Sequence, residues 1–133
     1  MKRQSLSTVK KKLWVIFSRY IRLRDAIKTT GTREYCKCIT CKRIEALNKI
    51  DAGHFVSRRF SNTLFNEKNV HGQCKHCNGF LAGNQLEYRR QIIKMYGEGA
   101  DIEIEDLATT LKKFTIPELE DMIKMYEDKI NKL

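Results

Sequence analysis

Between Thr8 and Ile27 the apolar residues fall three and four apart: Val9, Leu13, Ile16, Phe17, Tyr20, Leu23 and Ile27, with Lys10, Lys11, Arg19 and Arg22 mostly between them. That period gathers the apolar positions on one face of a helix, with Trp14 and Phe17 expected in the core. The helix stops at Thr29-Thr30-Gly31-Thr32. From residue 33 to 74 the helical period is gone, and β-prone Tyr35, Ile39 and Thr40 among turn residues predict short strands. Asp51-Ala52-Gly53-His54-Phe55-Val56 reads as the second arm of a hairpin, followed by a polar loop from Ser57 to Lys68. Asn84-Gln85-Leu86-Glu87 has the form of a capping box and predicts a helix running to Tyr96, stopped by Gly97. Gly97 to Ala100 reads as a hinge and residues 101–113 as a helix. Thr115-Ile116-Pro117-Glu118 is a second capping box, opening a last helix that buries Leu119, Met122, Ile123, Tyr126, Ile130 and Leu133. Helices flanking a strand-rich centre make the expected class α+β.

A length of 133 residues suits one domain, or one domain with a helical appendage. Charge divides the chain. Residues 1–97 carry 21 Lys and Arg against 6 Asp and Glu, and residues 98–133 carry 5 against 10, so the parts net +15 and −5. The reading is a basic body (1–97) and an acidic C-terminal appendage (98–133) that serves either as an oligomer interface or as a helix folded back on the body. A strongly basic body calls for a polyanion, nucleic acid first, although a solvated basic surface has the same composition. No apolar run is long enough to span a membrane. The basic start leads into a mixed stretch rather than a cleavable leader, so an intracellular protein is expected.

Cysteine spacing adds chemistry. The five cysteines fall as C-x-C-x-x-C (36, 38, 41) and C-x-x-C (74, 77), with 32 residues between Cys41 and Cys74. Two C-x-x-C turns present four thiolates to one zinc ion at about 2.3 Å each, and four sulfurs close the shell, so the metal holds structure and activates no water. Disulfides fit poorly with an odd cysteine count, and a redox dithiol needs only one pair. Cys38, Cys41, Cys74 and Cys77 are therefore the expected zinc ligands. Cys36 reads as a small buried residue or as a substitute for Cys38. One knuckle from a hairpin and one from a helix start is the treble-clef arrangement.

The polar residues around the knuckles follow a pattern of their own. Asp51 and His54 lie between the cysteine pairs, Asn69 stands five residues before Cys74, and Asn78 follows Cys77 directly. These positions resemble the HNH (ββα-metal) nuclease motif, and Asn69 to Asn78 has the N-x4-C-x2-C-N spacing of its zinc-bearing members. Cys38-Ile39-Thr40-Cys41, Asp51-Ala52-Gly53-His54-Phe55, Phe65-Asn66-Glu67-Lys68-Asn69-Val70-His71, Gln73-Cys74, Cys77-Asn78, Gly83-Asn84 and Tyr88-Arg89 together resemble the lambdoid-phage NinG (Rap) family of recombination nucleases, over roughly residues 9–97. The resemblance implies a zinc-bound treble-clef/ββα-metal core with an N-terminal helix and C-terminal helices. It further implies hydrolysis of DNA, of a branched recombination intermediate such as a Holliday junction, in the cytoplasm of a bacterial host. The cofactor implied is one Mg²⁺ or Mn²⁺ ion separate from the zinc.

Each residue type suits a role in that chemistry. A neutral imidazole at His54 can accept a proton near neutrality, its ordinary pKa being roughly 6.5. Asn69 can hold that imidazole in one tautomer. Asn78 and Asp51 can offer hard oxygens to the divalent ion. Many HNH nucleases carry an acid directly before the histidine. Here that residue is Gly53 and the nearest acid is Asp51, on the same side of a strand as residue 53, serving either as ligand or as hairpin helper. Arg58, Arg59, Arg89 and Arg90 can contact phosphate or face solvent. His71 is expected to be structural, His76 exposed, and Asn84 a helix cap rather than a catalytic group. A homodimer suits a junction enzyme that must cut twice. The competing reading is a zinc-organised DNA-binding module whose nuclease site has decayed at Gly53.

Overall fold

The computed structural model describes residues 4–133, and the basic Met-Lys-Arg start lies outside the described residues. Helix α1, Leu6–Thr30, is the longest element. Ser5 opens it by accepting from the Thr8 amide, and Gly31 closes it in the left-handed region at φ 71°, its amide on the Ile27 carbonyl. These two caps set the ends beyond the apolar stripe that marks the middle. Val9, Leu13, Phe17 and Ile21 are buried along one face.

Two antiparallel ribbons follow. Strand β1, Tyr35–Lys37, pairs with β2, Ile44–Ala46, and the turn between them carries Cys38 and Cys41. Strand β3, Ile50–His54, pairs with β4, Val70–Cys74, placing Asp51 opposite Gln73 and Gly53 opposite His71. Residues 51–56 thus begin the first arm of a hairpin, where the sequence pattern suggests its second arm. The preceding strand β2 is already paired with β1, so β3 finds its partner beyond the 55–69 loop.

Helix α2, Gln85–Tyr96, starts differently from expectation. Asn84 sits at φ 48° and makes no side-chain cap bond, and its Nδ2 points at Cys77 Sγ, 3.6 Å away. Glu87 accepts instead from Arg90 and Gln91 at 2.9 and 3.1 Å. The chain reverses through Gly83 and Asn84, both at positive φ, and that conformation turns the Asn84 side chain away from the first-turn amides. Helix α3 ends at Ala108 (Ala100–Ala108), short of the expected residue 113. The chain then bridges back, with the Lys112 amide on Ser61 Oγ at 2.8 Å. Helix α4, Ile116–Asn131, has the full Thr115–Glu118 capping box that its sequence predicts.

Residues 98–133 are built into the body. Leu119 and Tyr126 of α4 are buried with Leu13, Phe17 and Tyr20 of α1, and the Phe17 and Tyr126 rings meet edge to face at 5.0 Å. Glu67, in the loop before β4, accepts from Tyr126 Oη at 3.0 Å and Lys129 Nζ at 2.8 Å. The apolar stripe of α4 is therefore used within the chain. A polar seam joins α1 to β4: the Asp25 carboxylate accepts the Gly72 amide at 2.7 Å, and Arg24 donates to the Glu67 and Val70 carbonyls, each at 3.0 Å. Arg24 also pairs with Asp25, which makes burial of both charges tolerable. No helix among the described residues is long and apolar enough to cross a membrane.

Candidate functional site

Cys38 and Cys41 come from the β1–β2 turn, Cys74 ends β4, and Cys77 lies on the wide helical turn His76–Phe80 that follows. Their sulfurs all lie within 4.8 Å of one another, and Cys41 and Cys74 are 3.7 Å apart. Four sulfurs at about 2.3 Å from a central zinc ion stand roughly 3.8 Å apart, so the cluster can hold zinc with little adjustment. Backbone amides prepare it: the Cys41 amide donates to Cys38 Sγ at 3.5 Å and the Cys77 amide to Cys74 Sγ at 3.4 Å. Burial opposes ionisation of Cys38, yet these amide and hydroxyl donors, Thr40 among them, bring its thiol down to about 6. Cys36 stays out of the cluster. It is fully buried, and burial pushes its thiol up to about 12.

His54 ends β3 on a cleft of about 430 Å³, whose lining includes Arg58, Asn78, Gly83 and Gln85. Its Nε2 lies 2.9 Å from the Leu64 carbonyl. A carbonyl only accepts, so Nε2 carries the proton and Nδ1 keeps the free lone pair. Burial chiefly, with Arg58 nearby, holds the imidazole below its usual value against the opposing pull of the Leu64 carbonyl. Trp14 stacks on the ring, centroids 5.1 Å apart and planes 23° apart, and the Arg58 guanidinium lies over Trp14 at 4.9 Å. Trp14 is thus more than the core residue its helical position suggests. The stack joins positions 14, 54 and 58, which no sequence spacing connects.

Asn69 is fully buried and its side chain makes no hydrogen bond to His54. Its Oδ1 accepts from the Val56 amide at 2.7 Å, and its Nδ2 donates to the Val56 and Thr63 carbonyls, both at 3.0 Å. It ties the two ends of the loop after His54, and so places the Leu64 carbonyl that orients the ring. Asn69 fastens the loop, where a side-chain hydrogen bond to the imidazole was expected.

Asp51 and Asn78 do meet. Asn78 Nδ2 donates to Asp51 Oδ2 at 3.1 Å, and Lys75 Nζ reaches Asp51 Oδ1 at 2.7 Å. Asn78 therefore presents its Oδ1 on the other side, 3.1 Å from the point a Cβ at Gly53 would occupy. Gln73 Oε1 lies 2.2 Å from the same point. No side chain can stand at position 53 while Gln73 keeps this place, which explains the glycine directly before His54.

The arginines divide. Arg58 and Arg59 are exposed beside the cleft. Arg89 is turned onto α3, donating to both oxygens of Glu105 at 3.1 and 2.9 Å and to Asp101. Arg90 is exposed, in a surface pair with Glu87. His76 is exposed and stacks on Phe80.

His71, on β4, is 1% exposed. Tyr88 gives its hydroxyl proton to the Gly53 carbonyl at 2.6 Å, so it accepts from His71 Nδ1 at 3.2 Å, and His71 Nε2 accepts from Tyr96 Oη at 2.8 Å. This chain of bonds fixes β3 against α2 and needs a neutral imidazole. Burial lowers His71 to about 4 from an ordinary 6.5. Between those values the unfolded chain binds a proton that the folded one refuses, so stability falls as pH drops from about 6.5 to 4, by up to roughly 3 kcal/mol. Urea midpoints at pH 7 and pH 4 are expected to show this loss in the wild type, with a smaller acid penalty in His71→Gln.

Comparison with known proteins places the chain in a family. The family described as Bacteriophage Lambda NinG protein matches residues 1–133. Protein ninG of Escherichia phage lambda is 34% identical over 97 residues, 72% of this chain and 47% of its own length. Protein ninG of Salmonella phage P22 is 38% identical over 69 residues, 51% of this chain and 34% of its own. Protein ninG of Escherichia phage 933W is 32% identical over 97 residues, again 72% and 47%. The chain spans about half the length of the first of these curated relatives. No solved structure matches it. With a family match along the whole chain and a relative identical at 34% of 97 aligned positions, this protein belongs to the NinG family of lambdoid phages.

Proposed function

We propose that this chain is a divalent-ion-dependent DNA endonuclease of the HNH type, its ββα-metal site stapled by a zinc treble clef, acting on branched DNA in the cytoplasm of the phage's host. The observation that carries this reading is the setting of His54: an imidazole on a cleft, its Nε2 proton committed to the Leu64 carbonyl, its Nδ1 lone pair free and its pKa lowered. His71 is neutral too but has both ring nitrogens bonded, whereas His54 keeps one lone pair uncommitted beside the cleft, the state a general base needs.

His54 Nδ1 takes the proton of the attacking water. Trp14 and Leu64 hold the ring, and Asn69 holds the loop that carries Leu64. Asp51 and Asn78 would hold Mg²⁺ or Mn²⁺ through their oxygens, Asp51 exchanging its bond to Lys75 for the ion. When bound, the ion neutralises charge on the scissile phosphate and stabilises the leaving oxygen. Arg58 and Arg59 face the DNA backbone. Arg89, spent on α3, is left out of this surface, and Arg90 can join it only by leaving Glu87.

A cleavage panel tests the reading. Single-stranded, duplex, flap and four-way DNA are incubated with Mg²⁺ or Mn²⁺, and cutting of the branched forms is expected. The rate should rise with pH through an inflection below about 6.5, since His54 must be neutral. DNA affinity should fall steeply with salt, as release of phosphate counterions requires. If no divalent ion supports cutting of any DNA form, the enzyme reading fails and the binding-module reading takes its place.

A further inference from the structure

Gln73 is fully buried on β4, and its Oε1 has no hydrogen-bond partner. The orientation of its amide is not in question. Nε2 donates to the Gly83 carbonyl at 2.9 Å and to Thr40 Oγ1 at 3.2 Å. A flipped amide would set oxygen against the Gly83 oxygen, so the orphaned atom facing Gly53 is the oxygen. A buried acceptor left without a protein partner calls for a partner of another kind, an ordered water or a bound ion.

Its surroundings favour a cation. Gln73 stands opposite Asp51 in register, so the two side chains share one face of the ribbon. Gly53, two residues along β3, lies on that same face. Gln73 Oε1 and Asn78 Oδ1 both converge on the space left by the missing Cβ of Gly53, and the Asp51 carboxylate is bonded to the same Asn78. One carboxylate and two amide oxygens make a hard donor set with a single negative charge, suited to a small divalent ion that keeps several waters.

Resting on the nuclease reading of this cleft, we propose that Gln73 is an oxygen ligand of the divalent ion, its Oε1 standing where an acidic side chain at position 53 would reach. The zinc knuckle places it. Thr40 contacts both Gln73 Nε2 and Cys38 Sγ, the latter at 3.3 Å, so the knuckle turn sets the amide that aims the oxygen. Gly53 is then not a lost ligand. It is the opening through which a ligand from the neighbouring strand arrives.

The test reads ion binding and not cleavage. Zinc-loaded protein is titrated with Mn²⁺ and the free ion followed by electron paramagnetic resonance. Gln73→Met, close in shape and without the oxygen, is expected to weaken Mn²⁺ binding at least tenfold while retaining one zinc per chain. Gln73→Glu, which keeps an oxygen there and as the neutral acid still has a proton to donate to the Gly83 carbonyl, should bind Mn²⁺ within tenfold of wild type. A folded, zinc-loaded Gln73→Met with wild-type Mn²⁺ affinity overturns the assignment. If Gln73→Met does not fold, Gln73→Glu decides, and a tenfold loss there overturns it. Asp51→Asn separates this inference from the reading beneath it. Binding lost in Asp51→Asn but intact in Gln73→Met removes Gln73 alone, whereas a wild type that binds no Mn²⁺ removes the nuclease site and Gln73 together.

Discussion

His54→Ala is expected to lower the rate of DNA cleavage by about 10²–10⁴-fold, the usual contribution of a positioned general base, with DNA affinity unchanged. His54 binds no phosphate in the proposed site, so its loss spares the electrostatic attraction, which resides in the basic residues. The fold should survive. Truncation removes a half-buried ring from the Trp14 stack and leaves the Leu64 carbonyl without its donor, a cost of about 1–3 kcal/mol. Cleavage assays, DNA-binding isotherms and thermal melts on the same preparations check all three expectations. Undiminished cutting by His54→Ala would remove the catalytic assignment. Trp14→Leu should have an intermediate effect, because it frees the ring to turn without removing it.

Loss of zinc should be more damaging to the molecule as a whole. A structural zinc site in a small module contributes roughly 10–16 kcal/mol to folding, whereas an entire domain of this size is stable by only about 5–15 kcal/mol. Cys74→Ser, or prolonged chelation, is therefore expected to unfold the two ribbons and the turn His76–Phe80, seen as lost strand ellipticity and released zinc. Cleavage should vanish with the fold, since Cys74 ends β4 and Cys77 immediately precedes Asn78. The ion does no chemistry in this scheme, but it holds Gln73 and Asn78 in place. A Cys74→Ser protein that melts like wild type and keeps its cleft would contradict this. Cys36→Ser serves as the control, because Cys36 lies outside the cluster.

Features that depend on only a few neighbouring residues are legible in the sequence. The C-x-x-C spacings mark four cysteines that do come together, because a four-residue turn can place two sulfurs on one metal whatever lies beyond it. The stripe of α1 and the Thr115–Glu118 box likewise depend on contacts three or four residues away. The Asn84–Glu87 box carries the same local signal and yet is absent. The reversal leaving the zinc turn forces Asn84 to positive φ, and tertiary geometry overrides the cap.

By itself, then, the sequence determined which four cysteines come together to form a site that can hold zinc, the approximate places of the helices, and the family to which the chain belongs. Only the tertiary structure decided that Asn69 holds the 55–69 loop and not the imidazole, and that Trp14 and Arg58 stack with His54. It alone shows that Arg89 is consumed by Glu105 and Asp101, and that Gln73 aims an unpaired oxygen into the space at Gly53. The physical reason is range. Turn and helix geometry fixes neighbours three or four residues apart, whereas these contacts join elements whose relative placement is set by packing α1 and α4 together and by pairing β3 with β4.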